Sequence, residues 1–277
     1  MKKIIVPIDF SEHSENALKA AALIAKKTNA TLVALHMLDI QEFNLSESAS
    51  YQQEKMVFFL KLAEKKIKTF LEKDYLKEIK TVPIIKHYKI FSEINDIAKE
   101  IEADLIVMAS HGASGLKEFF MGSNTEKVIR YAEIPVLIIK NELKDIELNN
   151  LVYATDFSEK SIPAYQKMLE TLDFLEAKKH LLYVNLPSEN FKTSPEMDTL
   201  AHQFLMKAEG NTDRLINVNF VCARTIESGI INFSNSIGAD VIAIATNGRK
   251  GLAHIFSGSI SEDLSNHAAL PIITFKI

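Results

Sequence analysis

Two kinds of apolar pattern alternate along the chain. Short runs rich in Ile, Val and Leu predict strands at residues 4–6, 32–38, 82–85, 105–109 and 136–139, and again at 151–154, 181–184, 218–221, 241–245 and 272–275. Apolar residues recur at helical spacing between them, as in Ala17, Leu18, Ala21 and Ile24. This spacing predicts further helices at 51–73, 94–101, 128–129, 168–172, 200–208, around Ile231 and near Leu264. Strand and helix thus alternate throughout.

Such alternation, with strands that are apolar almost throughout, is typical of parallel sheets that are covered by helices on both faces and joined by right-handed crossovers. We predict the α/β fold class, with two doubly wound five-stranded parallel sheets. In an open sheet of this kind the ligand crevice lies at the carboxyl ends of the strands, at the point where the winding reverses. The alternation therefore also predicts where a binding site lies.

The two halves of the chain repeat the same motifs. Asp9-Phe10-Ser11-Glu12 returns as Asp156-Phe157-Ser158-Glu159, 147 residues later, and Gly112 with Gly122-Ser123 returns as Gly248 with Gly258-Ser259, 136 residues later. One fold has therefore been duplicated. The 11-residue difference between the offsets (147−136) indicates a length change, which we assign to residues 38–50. The predicted domains are 1–140 and 151–277, with a charged linker at 141–150.

Composition narrows the classes of partner and location. With 47% apolar and 25% charged residues the chain is ordinary for a globular protein, and a net charge of −4 without a basic block argues against nucleic acid as a partner. No stretch is long enough to span a bilayer, and the apolar run near the start ends at Asp9, too early for a signal peptide, so we predict a cytoplasmic protein. The single cysteine, Cys222, lies in an apolar run, which predicts a buried side chain.

The repeated motifs fall at the predicted crevice and indicate a nucleotide. The glycine motifs follow the fourth strands and open the fourth helices, where close approach to the backbone, unpaired N–H groups and the helix dipole suit phosphate. Hydroxyl donors are expected over the same first turns from Ser123, Thr125, Ser259 and Ser261. Because a carboxylate repels phosphate, Asp9 and Asp156 are assigned to the ribose or base. Glycines and serines also cap helices without any ligand, but a single spacing that occurs twice at the crevice favours a site.

These residues together resemble a known family. The first repeat, with Asp9-Phe10-Ser11, Ser110-His111-Gly112, Gly122-Ser123 and Ile134-Pro135-Val136-Leu137, looks like a universal stress protein domain, and Thr246-Asn247-Gly248, Gly258-Ser259 and Leu270-Pro271-Ile272 look like a second. The resemblance covers essentially the whole chain as a tandem pair. It implies the Rossmann-like fold of the adenine nucleotide alpha hydrolase type. It also implies binding of ATP or AMP, with any Mg²⁺ carried by the nucleotide.

The resemblance also assigns residues to the two sites. The family's Gly-x2-Gly-x9-Gly-(Ser/Thr) motif places at the phosphates Gly112, Gly122, Ser123, Asn124 and Thr125 in repeat one, and Gly248, Gly258, Ser259, Ile260 and Ser261 in repeat two. The family's aspartate maps to Asp9 after Ile8 and to Asp156 after Thr155, and the residue beside the base maps to Met37 and Val184. Ala109 and Ala245 stand where that motif begins with glycine, which puts the strength of binding in question.

Three classes of function follow from these observations. The first is a stress-response sensor or regulator that binds ATP or AMP, and the second is an interaction scaffold with vestigial pockets. The third is an enzyme, but the sequence has no Walker motif, no zinc spacing and no convincing general base, so at most weak ATP hydrolysis is expected and neither a catalytic nor a metal-binding residue is assigned. Protein partners remain unknown.

The last strand of each repeat suggests a reason for the duplication. Both are apolar and follow a proline, Pro135 and Pro271, which is compatible with a sheet edge. An exposed apolar edge invites association. We therefore predict that the two last strands pair to form an internal pseudo-dimer, as the resemblance also implies. A further homodimer is left open.

Overall fold

Strands and helices alternate along the computed structural model, which describes residues 1–39, 49–88, 93–110, 123–143, 148–187, 191–246 and 270–277. The described part of the chain forms two compact units. The elements of the first unit are β1 (Lys3–Ile8), α1 (Glu12–Thr28), β2 (Thr31–Asp39), α2 (Ala49–Leu71), β3 (Thr81–Tyr88), α3 (Glu93–Glu100), β4 (Leu105–Ala109), α4 (Ser123–Tyr131) and β5 (Val136–Ile139).

The second unit repeats this succession. Its elements are β6 (Asn150–Ala154), α5 (Ile162–Thr171), β7 (Lys178–Asn185), α6 (Ser194–Glu209), β8 (Val218–Cys222), α7 (Ile226–Ser236), β9 (Val241–Thr246) and β10 (Ile272–Lys276). The helix predicted near Leu264 lies outside the described residues. None of the helices in the described ranges is long and apolar enough to cross a membrane.

The strands of each unit form a parallel sheet, as predicted. The order is β3-β2-β1-β4-β5 in the first unit and β10-β9-β6-β7-β8 in the second. The chain first moves outward from β1 to β3 and then returns to the other side of β1 with β4. The winding therefore reverses between β1 and β4, and in the same way between β6 and β9. The predicted fold class is confirmed.

The central strands of the first sheet are buried, as is usual for parallel sheets. Ile4, Ile5, Leu105 and Ile106 on the paired strands β1 and β4 have no exposed surface. Strands buried on both faces need helices on both sides, and α1 supplies a face of small residues, among them Ala17 and Ala21. Small side chains let the helix lie close to β1 and β4.

The termini of α1 are defined by local chemistry. The Ser11 side chain accepts a hydrogen bond from the backbone N–H of Ser14 at 3.1 Å, and Glu12 and Glu15 lie in the first turn, where negative charge is favourable. Asn29 ends the helix in the left-handed conformation, with φ of 53°. The first strand and first helix are thus joined by residues 9–11, which places the Asp9 turn at the edge of the sheet.

The length difference between the repeats lies mainly in a helix, which corrects our assignment to residues 38–50. Helix α2 has 23 residues and its counterpart α6 has 16, a difference of seven, or two helical turns. The connections that precede them span residues 40–48 and 186–193, nine residues against eight. A loop was the natural expectation because insertions are tolerated most easily there. The amphipathic pattern of α2 extends instead.

The prediction that Cys222 is buried is wrong. Its side chain is exposed. Cys222 is the last residue of β8, and β8 stands at the end of its sheet order, so among the described residues of this unit no strand pairs with its other side. An apolar run does not distinguish an edge strand from a central one.

Candidate functional site

The residues that follow β1 and β4 meet at the winding reversal of the first unit. Ile4 and Ile5 of β1 are in register with Leu105 and Ile106 of β4, so the two strands end at the same edge of the sheet. Ile8, the last residue of β1, is buried, while Asp9 is exposed. Ala109 ends β4 and is half-buried. The structure thus brings Ile8, Asp9 and Ala109 to one crevice edge.

A tight turn presents the Asp9 carboxylate at this edge. Asp9 Oδ1 accepts hydrogen bonds from the backbone N–H of Ser11 at 3.0 Å and from the Ser11 hydroxyl at 2.5 Å. Phe10 between them is left-handed, with φ of 67°, a conformation that costs energy for a bulky residue. The turn is held by the carboxylate itself, so Asp9 is fixed in position before any ligand binds.

The second unit has an equivalent turn. Asp156 is exposed, and its Oδ1 accepts from the N–H of Ser158 at 2.9 Å, while Phe157 is left-handed with φ of 55°. Thr155, predicted to contact the ligand, uses its hydroxyl oxygen to accept from the N–H of Phe157 at 3.1 Å. Ala245 near the end of β9 is half-buried, like Ala109.

The start of α4 is attached to the end of β4 in the first unit. The Thr125 hydroxyl donates to the carbonyl oxygen of Ala109 at 2.9 Å, and the residue is buried. In this arrangement the hydroxyl hydrogen is used within the protein, and the assignment of Thr125 to phosphate stays a prediction. The bond holds the first turn of α4, which begins at Ser123, against the crevice edge. Asn124 beside it is exposed.

Several predicted residues lie outside the described ranges. They are Gly112 and Gly122 of the first repeat, and Gly248, Gly258, Ser259, Ile260 and Ser261 of the second. The backbone of Ser123 is described as the start of α4, and its side chain is not. Their assignment to phosphate stays a prediction.

The positions assigned beside the base differ between the units. Met37 on β2 and Val184 on β7 are both half-buried. Val184 lies directly under α7, where a Cβ added to Gly229 would come 2.6 Å from its Cγ1. By the offset of 136 the counterpart of Gly229 is Glu93 at the start of α3, and its buried Oε2 has no hydrogen-bond partner in the described part of the chain. The first unit thus carries a carboxylate where the second has only a hydrogen atom.

A side chain outside the repeated motifs, His36, supports the Asp9 turn. Phe10 packs on the His36 ring, with centroids 4.4 Å apart, and His36 Nδ1 lies 2.8 Å from the carbonyl oxygen of Ile8. In the second unit the counterpart of His36 is Tyr183, which stacks on Phe157 at 6.0 Å. The two repeats thus differ at this position by a phenol and an imidazole, and only the imidazole titrates near neutral pH.

The support for the Asp9 turn makes the stability of the first unit sensitive to acid. Burial, the largest cause, lowers the pKa of His36 from its usual 6.5, and Lys66 lowers it further, while the bond to Ile8 and the charge of Asp9 oppose this. The folded state therefore favours the neutral ring. The stabilisation is complete above pH 6.5 and is lost as the pH falls below that value.

We expect the thermal midpoint to fall between neutral pH and about pH 5, and to fall less in a His36→Tyr variant, which copies the second unit. Differential scanning calorimetry at both pH values measures this. The pH dependence of the thermal midpoint that remains in the variant includes the contribution of His180, whose pKa is also lowered by burial. Equal pH dependence of both proteins would show that His36 does not titrate as described.

The fold and the crevice define the class of this protein as a tandem of two doubly wound α/β units, each with an aspartate turn at its winding reversal. Comparison with known proteins is consistent with this class. The chain matches the universal stress protein family over residues 1–140 and again over 147–276. It belongs to the universal stress protein family, as a tandem member.

Individual relatives align with about half of the chain. Universal stress protein MJ0531 of Methanocaldococcus jannaschii is 32% identical over 151 residues, which are 52% of this chain and 85% of that protein. MJ0577 of the same organism is 31% identical over 160 residues, 51% of this chain and 96% of its own. The crystal structure of a universal stress protein from Archaeoglobus fulgidus covers 99% of this chain and 98% of its own, with a TM-score of 0.70 and 21% identity. That likeness shows the fold of both units.

Proposed function

We propose that at least one of the two units binds ATP or AMP, and that the protein is a nucleotide-dependent sensor or regulator in a stress response. The observation that carries this proposal is the geometry of the first crevice. Asp9 is fixed at the end of β1, and the first turn of α4 is attached to the adjacent strand by the bond from Thr125 to Ala109. A carboxylate and a helix N-terminus across one winding reversal suit the two ends of a nucleotide.

Each part of the crevice suits a different part of the ligand. The unpaired N–H groups of the first turn of α4 would donate hydrogen bonds to phosphate oxygens, and Mg²⁺ would arrive with the nucleotide. The Asp9 carboxylate would accept from ribose hydroxyls, because it is kept away from the phosphates by its own charge. Family membership supports this assignment, since the glycines of the family's phosphate motif are present at Gly112 and Gly122.

Turnover of the nucleotide is not required for this function. Asp9 and Asp156 accept hydrogen bonds from the backbone N–H groups of Ser11 and Ser158, and both lie at the end of the site that we assign to the ribose. We therefore propose that occupancy alters shape or partners, with at most weak hydrolysis of ATP.

A second candidate function is an interaction scaffold with vestigial pockets. The observation that favours it is the alanine at both first positions of the phosphate motif, Ala109 and Ala245. Each adds a methyl group where the motif has a bare backbone, and close approach of phosphate is the reason for glycine there.

Calorimetric titration of the full chain with ATP and magnesium, and separately with AMP, tests the proposal. We expect saturable binding with a stoichiometry of one or two, the larger value if both units bind. Mass spectrometry of small molecules released from freshly purified protein provides an independent measurement. No heat of binding with either nucleotide, together with no released nucleotide, would favour the scaffold.

Three further proposals accompany this function. We place the protein in the cytoplasm, where adenine nucleotides are abundant, and we keep the domain limits at 1–140 and 151–277.

The pairing of the two units through their last strands stays a prediction. Separately expressed halves that remain soluble monomers with unchanged stability would contradict it.

A further inference from the structure

The solvent face of α2 carries a stripe of large apolar side chains. Tyr51, Phe58 and Leu62 are 55%, 63% and 38% exposed. At about 100° per residue, Tyr51 and Leu62 lie within about 40° of Phe58 around the helix axis. The buried residues Ala63 and Ile67 lie on the opposite side, against the sheet. We call Tyr51, Phe58 and Leu62 the α2 stripe.

The two aromatic residues of the α2 stripe are specific to the first unit, whereas Leu62 corresponds to Leu200 in the second. When the ends of α2 and α6 are aligned, the buried residues Ala63 and Ile67 correspond to Ala201 and Leu205, which are buried too. Phe58 then corresponds to Glu196, and Tyr51 lies in the two turns that α6 lacks. The longer helix therefore adds apolar surface that the fold of the unit does not need. Exposed aromatic side chains aligned on one face are typical of an interaction surface.

Charges beside the stripe indicate what covers it. Glu54 and Lys61 are exposed, carry opposite charges and lie on the same flank of the stripe, seven residues apart. Neither is in an ion pair within the described part of the chain. In an antiparallel pair of identical helices with a twofold axis beside Phe58, Glu54 of one helix faces Lys61 of the other, twice. The flank is thus complementary to itself.

The α2 stripe is also complementary to itself in this arrangement. The two Phe58 rings meet at the twofold axis, and Tyr51 of each helix lies near Lys65 of the other, where an ammonium group over the ring is favourable. We propose that the α2 stripe binds a second copy of this chain, with the two α2 helices antiparallel. Three side chains of one helix cannot cover the about 800 Å² per partner that stable complexes bury, so we expect a weak dimer that forms on the order of 100 μM protein.

Sedimentation velocity of the full chain over a wide concentration range tests this. We expect a monomer–dimer equilibrium that Phe58→Ser abolishes. Glu54→Lys and Lys61→Glu should each weaken it about tenfold, because each places like charges opposite one another, and the double variant should restore it to within about threefold. Because these side chains are exposed, we expect each variant to keep its fold, and circular dichroism checks this.

Met206→Ser is the matched control, since Met206 is 45% exposed on the counterpart helix α6. It should leave the equilibrium unchanged. A monomer at all concentrations would mean that residues 40–48 or a different protein cover the stripe, and would overturn the proposal. A dimer that survives the charge reversals, or one that the double variant does not restore, would overturn it as well.

Discussion

We expect the Gly122→Asp variant to lose ATP binding in the first unit by about 100-fold or more, because it adds a negative charge where the phosphates are proposed to bind. Gly122 directly precedes Ser123, the first residue of α4. Aspartate is a favourable residue before a helix, so the helix itself should keep its stability. The loss would therefore report on the site and not on folding. Calorimetric titration with ATP and magnesium measures it.

Gly122→Asn is the matched control, since asparagine has nearly the same shape, caps a helix equally well and carries no charge. Either side chain hinders the close approach of phosphate, so the additional loss in Gly122→Asp beyond that in Gly122→Asn measures the effect of charge. Gly258→Asp tests the second unit in the same way. Binding that is as tight in the double aspartate variant as in the unmodified protein would refute phosphate binding at these helix starts.

The second large effect is expected at Gly229 in α7. Alanine there would place its Cβ 2.6 Å and 2.9 Å from the two methyl carbons of Val184 and 3.1 Å from the Cβ of Ala223. Val184 is β-branched and lies in a strand, so it cannot rotate away easily. Overpacking of this kind costs about 1–3 kcal/mol, which exceeds the about 1 kcal/mol that alanine gains over glycine in a helix. We expect Gly229→Ala to lower the stability of the second unit, with a lower thermal midpoint in calorimetry.

Removing the Val184 methyl groups should relieve this effect. In the double variant Gly229→Ala with Val184→Ala the total loss should be smaller than the sum of the single losses. Gly238→Ala, just after the same helix, provides the contrast. Gly238 has φ of 60° and nothing within 4 Å of an added Cβ, so its cost comes from the backbone alone and Val184→Ala should not reduce it. Strict additivity at Gly229 would mean that the helix moves freely away from β7.

Local patterns along the chain specify where the strands begin and end and which motifs follow them. Strands β4 and β5 have the predicted bounds, because buried parallel strands are continuous apolar runs that end in polar residues. The position of the aspartate turns after the first strands was also predicted, since motifs at strand ends lie at one edge of the sheet once the sheet order follows from the alternation. Asp9 and Asp156 are such residues.

Other features depend on which side chains meet across the fold. The hydroxyl of Thr125 was expected to face a ligand, but it donates to Ala109 on the adjacent strand. The hydrogen bond between His36 and Ile8 joins two strands whose residues are 28 positions apart. The exposure of Cys222 follows from the place of β8 in the sheet order. Local sequence patterns do not reveal these neighbours, because they belong to different strands and helices.

The sequence alone determined the duplication, the α/β class, the family and the sheet edge at which the repeated aspartate motifs lie, because these follow from periodicity and from repeated motifs. Only the tertiary structure decided that the Thr125 hydroxyl bonds to Ala109, that Gly229 lies against Val184, and that Phe10 rests on the imidazole ring of His36. The reason is physical: periodicity records whether a residue is buried, whereas the identity of the atoms that bury it is fixed only when distant segments pack together.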